Sequence, residues 1–192
     1  MNEGDKLLLS LISKAEGTRD NYNTIYGVNK THPLTTMTIN EVLEWQQKQQ
    51  YSAAGKYQII KKTLAYLRDA MNLTGNELFD EKMQDSMALF LLDNRKYQRF
   101  IKGMFGLENF MVELAKEWAS FPMPFSKSIN GKWRYQGKSY YDEDGVNHAR
   151  VSIEEVKDIL KSVRALSQID KDIYVTVPWW QKLIGKIKDF FS

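Results

Sequence analysis

The sequence predicts an α+β chain dominated by helices, with one small β region and an amphipathic helix at its C-terminus. Three observations carry this. Apolar residues recur at helical spacing along most of the chain. Two helix starts bear capping boxes, Thr38-Ile39-Asn40-Glu41 and Ser152-Ile153-Glu154-Glu155. There is no run of alternating strands and no internal repeat.

The first helix is expected over Asp5–Glu16, where Leu8, Leu11, Ile12 and Ala15 share one face and Gly17 follows as a left-handed C-cap. From Thr18 to Thr36 the chain turns polar, with Asn21, Asn23, Gly27, Asn29 and Pro33 giving a long loop or small hairpin. The first capping box opens a helix that ends near Gln50, and a loop over Tyr51–Lys56 leads to a third helix from about Tyr57 to Met71. A Met-rich core helix follows from about Glu81 to Leu92, with a continuation toward Lys102. Another spans Phe110–Ser120 and stops at Phe121-Pro122-Met123-Pro124, because two prolines cannot continue the ladder. Ser126–Val151 is a Gly- and Tyr-containing excursion, and the second capping box starts a helix to about Leu166. The expected division is residues 1–167 as one domain and 168–192 as a linker of about ten residues plus the terminal helix.

The 192 residues suffice for one core, and 43% apolar with 27% charged residues is an ordinary globular composition. A net charge of +3 and a pI near 8.9 give a mild bias toward acidic polymers or anionic surfaces. Without cysteine there is no disulfide framework or thiolate metal site. His32 and His148 are too few and too far apart to suggest a metal centre, so neither metal nor cofactor is expected. The apolar run Leu7–Ile12 follows Glu3 and Asp5 where a signal peptide carries positive charge, and it is too short to span a membrane. No signal peptide is evident.

Ala15-Glu16-Gly17-Thr18 sets a carboxyl at the junction of an apolar helix and a loop. Burial there raises its pKa and keeps it protonated as a general acid, although a glutamate before a C-cap glycine is commonly just a solvated helix end. Ser52-Ala53-Ala54-Gly55-Lys56-Tyr57-Gln58 is a small-residue loop that lets a ligand approach the backbone, with an amide in Gln58 able to donate and accept. A tight turn with Tyr57 in the core is the plainer account of the same residues. Gln84-Asp85-Ser86-Met87-Ala88-Leu89 and Trp118-Ala119-Ser120-Phe121-Pro122 are two further ordered motifs.

Together, over about Leu7 to Val163, these four motifs resemble the phage-lambda-type endolysins of the lysozyme-like superfamily, which act as peptidoglycan lytic transglycosylases. The resemblance implies a lysozyme-like fold with its small β region beside the active-site cleft. It implies Glu16 as the catalytic acid, Gln58 and Tyr57 lining the cleft, and Tyr26 and Ser52 as sugar contacts. Tyr140 or Tyr141 in Gly137–Gly145 would stack on sugars, with Trp118 and Trp133 assisting. Asp142 and Asp144 lack the ligand count of a calcium loop, and a solvated acidic turn is expected.

Glycoside hydrolysis normally uses two carboxylates, and only Asp20 and Glu44 offer themselves beside Glu16, without a matching motif. A lytic transglycosylase needs one acid. The expected activity is therefore cleavage of the MurNAc-GlcNAc bond to a 1,6-anhydromuramyl end, with a hydrolytic muramidase as the alternative. The expected partner is the peptidoglycan glycan strand and not nucleic acid. The chain is expected to be a monomer held in the host cytoplasm until lysis, then acting on periplasmic peptidoglycan.

In the tail, Trp179, Trp180, Leu183, Ile184, Ile187, Phe190 and Phe191 fall within an arc of about 140° at 100° per residue. Lys182, Lys186 and Lys188 lie outside it. That is the pattern of an interfacial helix on an anionic membrane surface, and equally of a last core helix docked on the domain. A membrane-active protein driven by this tail, or a glycan-binding module without catalysis, are the competing functions.

Overall fold

The computed structural model describes residues 1–26 and 30–176, with side chains through Gln168. Its order is α1 (Glu3–Glu16), β1 (Thr24–Ile25), β2 (Lys30–Thr31), α2 (Ile39–Gln47), α3 (Lys61–Ala70) and α4 (Glu81–Asn94). Then come α5 (Tyr97–Ile101), α6 (Leu107–Glu117), β3 (Lys127–Ile129), β4 (Lys132–Arg134) and α7 (Ile153–Thr176). The chain is α+β and mainly α, as expected.

The helix starts follow the sequence signals. Asn2 and Asp5 cap α1 reciprocally, and Thr38 and Glu41 do the same for α2. The Ser152 hydroxyl accepts from Glu155 N at the head of α7. Gly17 ends α1 at φ 75, the left-handed cap.

The core is one cluster built around α1, whose Leu8, Leu9, Leu11, Ile12 and Ala15 are buried. Its main neighbour is α7, which contributes Val156, Leu160 and Val163. Gly4 allows their close approach: a Cβ there would stand 2.9 Å from Ser167 Oγ and 3.0 Å from Val163 O.

Four boundaries differ from expectation. Residues 57–60 are not the start of α3 but the far side of a tight hairpin, in which Ala54 and Ile59 exchange backbone hydrogen bonds. Gly55 at φ 77 and Gln58 at φ 49 are left-handed, so no helix can pass through them. Lys96, at φ 70, divides α4 from α5. Helix α6 stops at Trp118, already extended at φ -118 and ψ 112, before either proline. Helix α7 runs through Thr176, across the expected linker; Ser167–Thr176 contains neither Gly nor Pro, and the Gln168 amide and the Arg164 guanidinium tie the helix to carbonyls of Ile101, Phe100 and Phe105.

There are two small antiparallel strand pairs among the described residues instead of one β region. The second, β3–β4, turns on Asn130-Gly131, both at positive φ, the hairpin signature of that dipeptide. No helix among the described residues is long and apolar enough to cross a membrane. Trp179, Trp180, Lys182, Lys186 and Lys188 lie outside the described residues, and so does the whole segment 178–192 read as an amphipathic helix.

Candidate active site

The four motifs converge on one place. Thr18, buried behind Gly17, donates its hydroxyl to Lys56 O at 2.8 Å, joining the end of α1 to the hairpin loop. The Gln84 side chain on α4 accepts from Lys56 N at 2.9 Å and donates to Tyr22 O and Phe79 O. Its neighbour Asp85 accepts the hydroxyls of Tyr22 and Tyr57, at 3.0 and 2.5 Å. Trp118 Nε1 donates to Tyr57 O at 3.2 Å, and Ser120 Oγ donates to Glu16 Oε1 at 2.5 Å. Gln46 of α2 adds two donations, to Ser52 O and Ile59 O. The loop over 52–59 is thus held from α1, α2, α4 and the segment after α6.

These elements enclose a cleft of about 820 Å³ with Glu16 on its wall. Glu16 is partly buried, and loss of water raises its pKa above the ordinary carboxylate value. The Ser120 hydroxyl and the positive charge of Arg150 act in the opposite direction without cancelling that rise. Arg150 is anchored beside it: its backbone N donates to Ser120 O at 2.8 Å and its Nη1 to Glu16 O at 3.3 Å. A carboxyl that holds its proton unusually long, facing a cleft, is suited to general acid work.

Of the expected contacts, Tyr26, Ser52, Tyr57 and Gln58 all border the cleft. Tyr57 does so as part of the wall, since its ring is 1% exposed and its hydroxyl is bound to Asp85. The Gln58 amide donates to Gly55 O at 2.9 Å and to Thr24 O at 3.4 Å, which fixes the side chain at the cleft wall. Tyr26 is exposed and stacks on Tyr51, with centroids 4.4 Å apart.

Tyr140 is not brought to the cleft. It packs against the core, under the Arg134 guanidinium at 4.9 Å, and its neighbour Tyr141 takes the cleft position with its hydroxyl on Lys116 O. The two tyrosines lie in the turn that follows Ser139, where Tyr140 packs on the core and Tyr141 is exposed. Trp118 borders the cleft, whereas Trp133 is exposed on β4 away from it.

Neither carboxylate considered as a partner is there. Asp20 is paired with Lys56 at 2.9 Å, and Glu44 is exposed on α2. Two others border the cleft, Glu117 and Asp144. Glu117 is bound by Arg95 Nε at 2.8 Å. Asp144 accepts from the backbone of Val146 and Asn147 and from the Asn147 amide, which together hold its pKa below the usual value. The turn expected to be acidic and solvated is therefore ordered by one of its own carboxylates.

Sequence reasoning missed Tyr51, Arg150 and the role of Ser120. Ser120 lay within a quoted motif, but nothing in the linear pattern joins it to a residue 104 positions away.

No curated protein and no solved structure matches the chain. A protein-family model described as Endolysin matches residues 6–134, a stretch that carries Glu16, the hairpin loop, the Gln84-Asp85 pair and Ser120. With two thirds of its length covered and its motifs gathered on one cleft, the chain belongs to the endolysin family, enzymes that degrade bacterial peptidoglycan.

Proposed function

We propose that the chain is a lytic transglycosylase of lysozyme-like fold that cleaves the MurNAc-GlcNAc β-1,4 bond with Glu16 as its single acid and base. The supporting observation is that Glu16 borders the cleft with its pKa raised by burial and makes no ion pair among the described residues, its Oε1 accepting from the Ser120 hydroxyl. Glu117 is held by Arg95, and Asp144 by its own turn.

In this reading protonated Glu16 gives its proton to the glycosidic oxygen as the bond from muramyl C1 to that oxygen breaks. The C6 hydroxyl of the same muramic residue attacks C1, and its proton passes to the Glu16 carboxylate. The product is a 1,6-anhydromuramyl end, no water is consumed, and the acid is regenerated. Arg150 beside the carboxylate eases the moment at which Glu16 is ionised.

A hydrolytic muramidase is the second reading, favoured by the presence of Asp144 in the same cleft. Mass spectrometry of digested sacculi tests the choice. Anhydromuramyl products support transglycosylation, and ordinary reducing muramic ends overturn it.

Lysis from inside the host follows from this activity: the chain would collect in the cytoplasm and meet periplasmic peptidoglycan when the inner membrane opens. Residues 178–192 are read as a membrane-binding segment on the strength of their apolar arc and lysine face. Binding to anionic liposomes that persists unchanged in a truncation at Val175 would refute that part.

A further inference from the structure

A second groove, of about 520 Å³, lies on the other side of α6, between that helix and the β3–β4 hairpin. Four apolar side chains, Phe105, Val112, Phe125 and Ile129, line it among polar ones. Its rim carries three lysines, Lys96, Lys116 and Lys127, against one acid, Glu113. That acid is already neutralised, by Lys116 at 2.7 Å and Arg95 at 3.5 Å. Lys96 and Lys127 make no ion pair among the described residues, and Lys96 Nζ rests over the Phe105 ring at 4.8 Å. Two cations without an ion pair, set beside a lining of mixed polar and apolar side chains, fit a short chain that carries several carboxylates and some methyl groups.

The groove and the catalytic cleft share the last turn of α6. Glu113 and Lys116 face the groove, while Glu117 and Trp118 face the cleft, a rise of about one helical turn. Tyr141 on the cleft side donates to Lys116 O, and Arg95 bridges Glu113 and Glu117. The substrate has a matching branch: each muramic residue bears a peptide stem of three to five residues, rich in free carboxylates and methyl groups. Extended, such a stem reaches roughly 10–17 Å, enough to pass over one turn of helix.

We infer that this groove binds the acidic peptide stem of the strand being cleaved, so that the enzyme reads peptide as well as glycan. The inference rests on peptidoglycan being the substrate held in the Glu16 cleft. The chain's own segment 178–192 is the poorer occupant, since it carries Lys182, Lys186 and Lys188 against a single Asp189 and would meet like charge.

Two measurements test it. In the first, the full chain and a Lys96→Asn/Lys127→Glu variant are compared on strands with intact stems and on strands stripped of them by an amidase. Asparagine is chosen because position 96 has a left-handed backbone that it tolerates. The parent should favour stem-bearing strands by about tenfold in kcat/KM, and the variant should lose that preference while matching the parent on stripped strands. Equal loss on both substrates, or a preserved preference, overturns the inference.

In the second, the free stem tetrapeptide is titrated into Glu16→Gln protein by NMR, which requires no cleavage. Shifts around Phe105, Ser128 and Ile129, weakened by the double variant, support the groove. Shifts at the Glu16 cleft alone, or none, overturn it. If the parent cleaves neither strand, the catalytic reading falls while this titration still decides the groove.

Discussion

The hydroxyl of Ser120 donates to Glu16 Oε1 at 2.5 Å, across 104 residues of sequence. It arrives there because α6 ends early at Trp118, whose indole is fixed on Tyr57 O, and because Ser120 O holds the backbone of Arg150. The bond stabilises the ionised carboxylate, so removing it favours the proton. Ser120→Ala is expected to move the alkaline limb of the pH profile of kcat/KM upward and to lower kcat by about tenfold through lost positioning. Ser120→Thr should keep the parent limb. A Ser120→Ala profile that overlays the parent, or moves downward, would sink the assignment.

Glu16→Gln should abolish lysis, by a hundredfold or more, because an amide cannot donate the proton. The same substitution should change stability in a pH-dependent way. The folded-state pKa of Glu16 is raised above its unfolded value, so the native state binds more protons between the two. Stability is therefore lost as pH rises through that interval. The variant should melt higher than the parent at pH 7, with the difference vanishing below about pH 4. Thermal melts across pH read this directly, and a variant that melts lower at pH 7 would contradict it.

How far such a site can be read from sequence depends on whether its contacts are local. The start of α2, the cap of α1 and the first-turn residues of α7 were legible because capping is a matter of three or four neighbouring residues. Glu16 stands out as a candidate through its Glu-Gly-Thr setting, and its place on the cleft wall agrees with that setting. The hairpin at 54–59 was not, because Tyr57 and Gln58 have helix-compatible types while their backbone is dictated by Gln84, Gln46 and Trp118 from elsewhere. The exchange of Tyr140 for Tyr141 has the same origin: adjacent aromatics look alike in sequence, and what separates them is contact with the distant Arg134 and Lys116. Asn130-Gly131, by contrast, was a local hairpin signal that could have been read.

Gly55 is where the loop admits no side chain. A Cβ would stand 2.2 Å from Gln84 Oε1 and 3.2 Å from the Phe79 ring, at a φ of 77. Gly55→Ala must therefore displace the amide that accepts from Lys56 N, in addition to the left-handed strain. A loss of about 2 kcal/mol or more in urea unfolding is expected, with activity falling as Gln58 loses its place. A neutral substitution would show that the loop is less tightly held than its contacts indicate.

Tyr26 and Tyr51 stack at the rim of the cleft with 44% and 52% of their surfaces exposed. Buried stacked rings serve the core, but a stacked pair left this open presents an apolar face where a sugar ring can lie. Tyr51 is the residue to vary, as the more exposed ring of the pair. An aromatic contact of about 1 kcal/mol corresponds to about fivefold in affinity, so Tyr51→Ala should raise KM on soluble glycan strands by about that factor. Since the ring is remote from proton transfer, kcat should stay within about twofold. Tyr51→Phe should behave as the parent, because the face and not the hydroxyl makes the contact. Loss of kcat with KM unchanged would instead assign Tyr51 a part in shaping the acid, and would remove the rim pair from the substrate path.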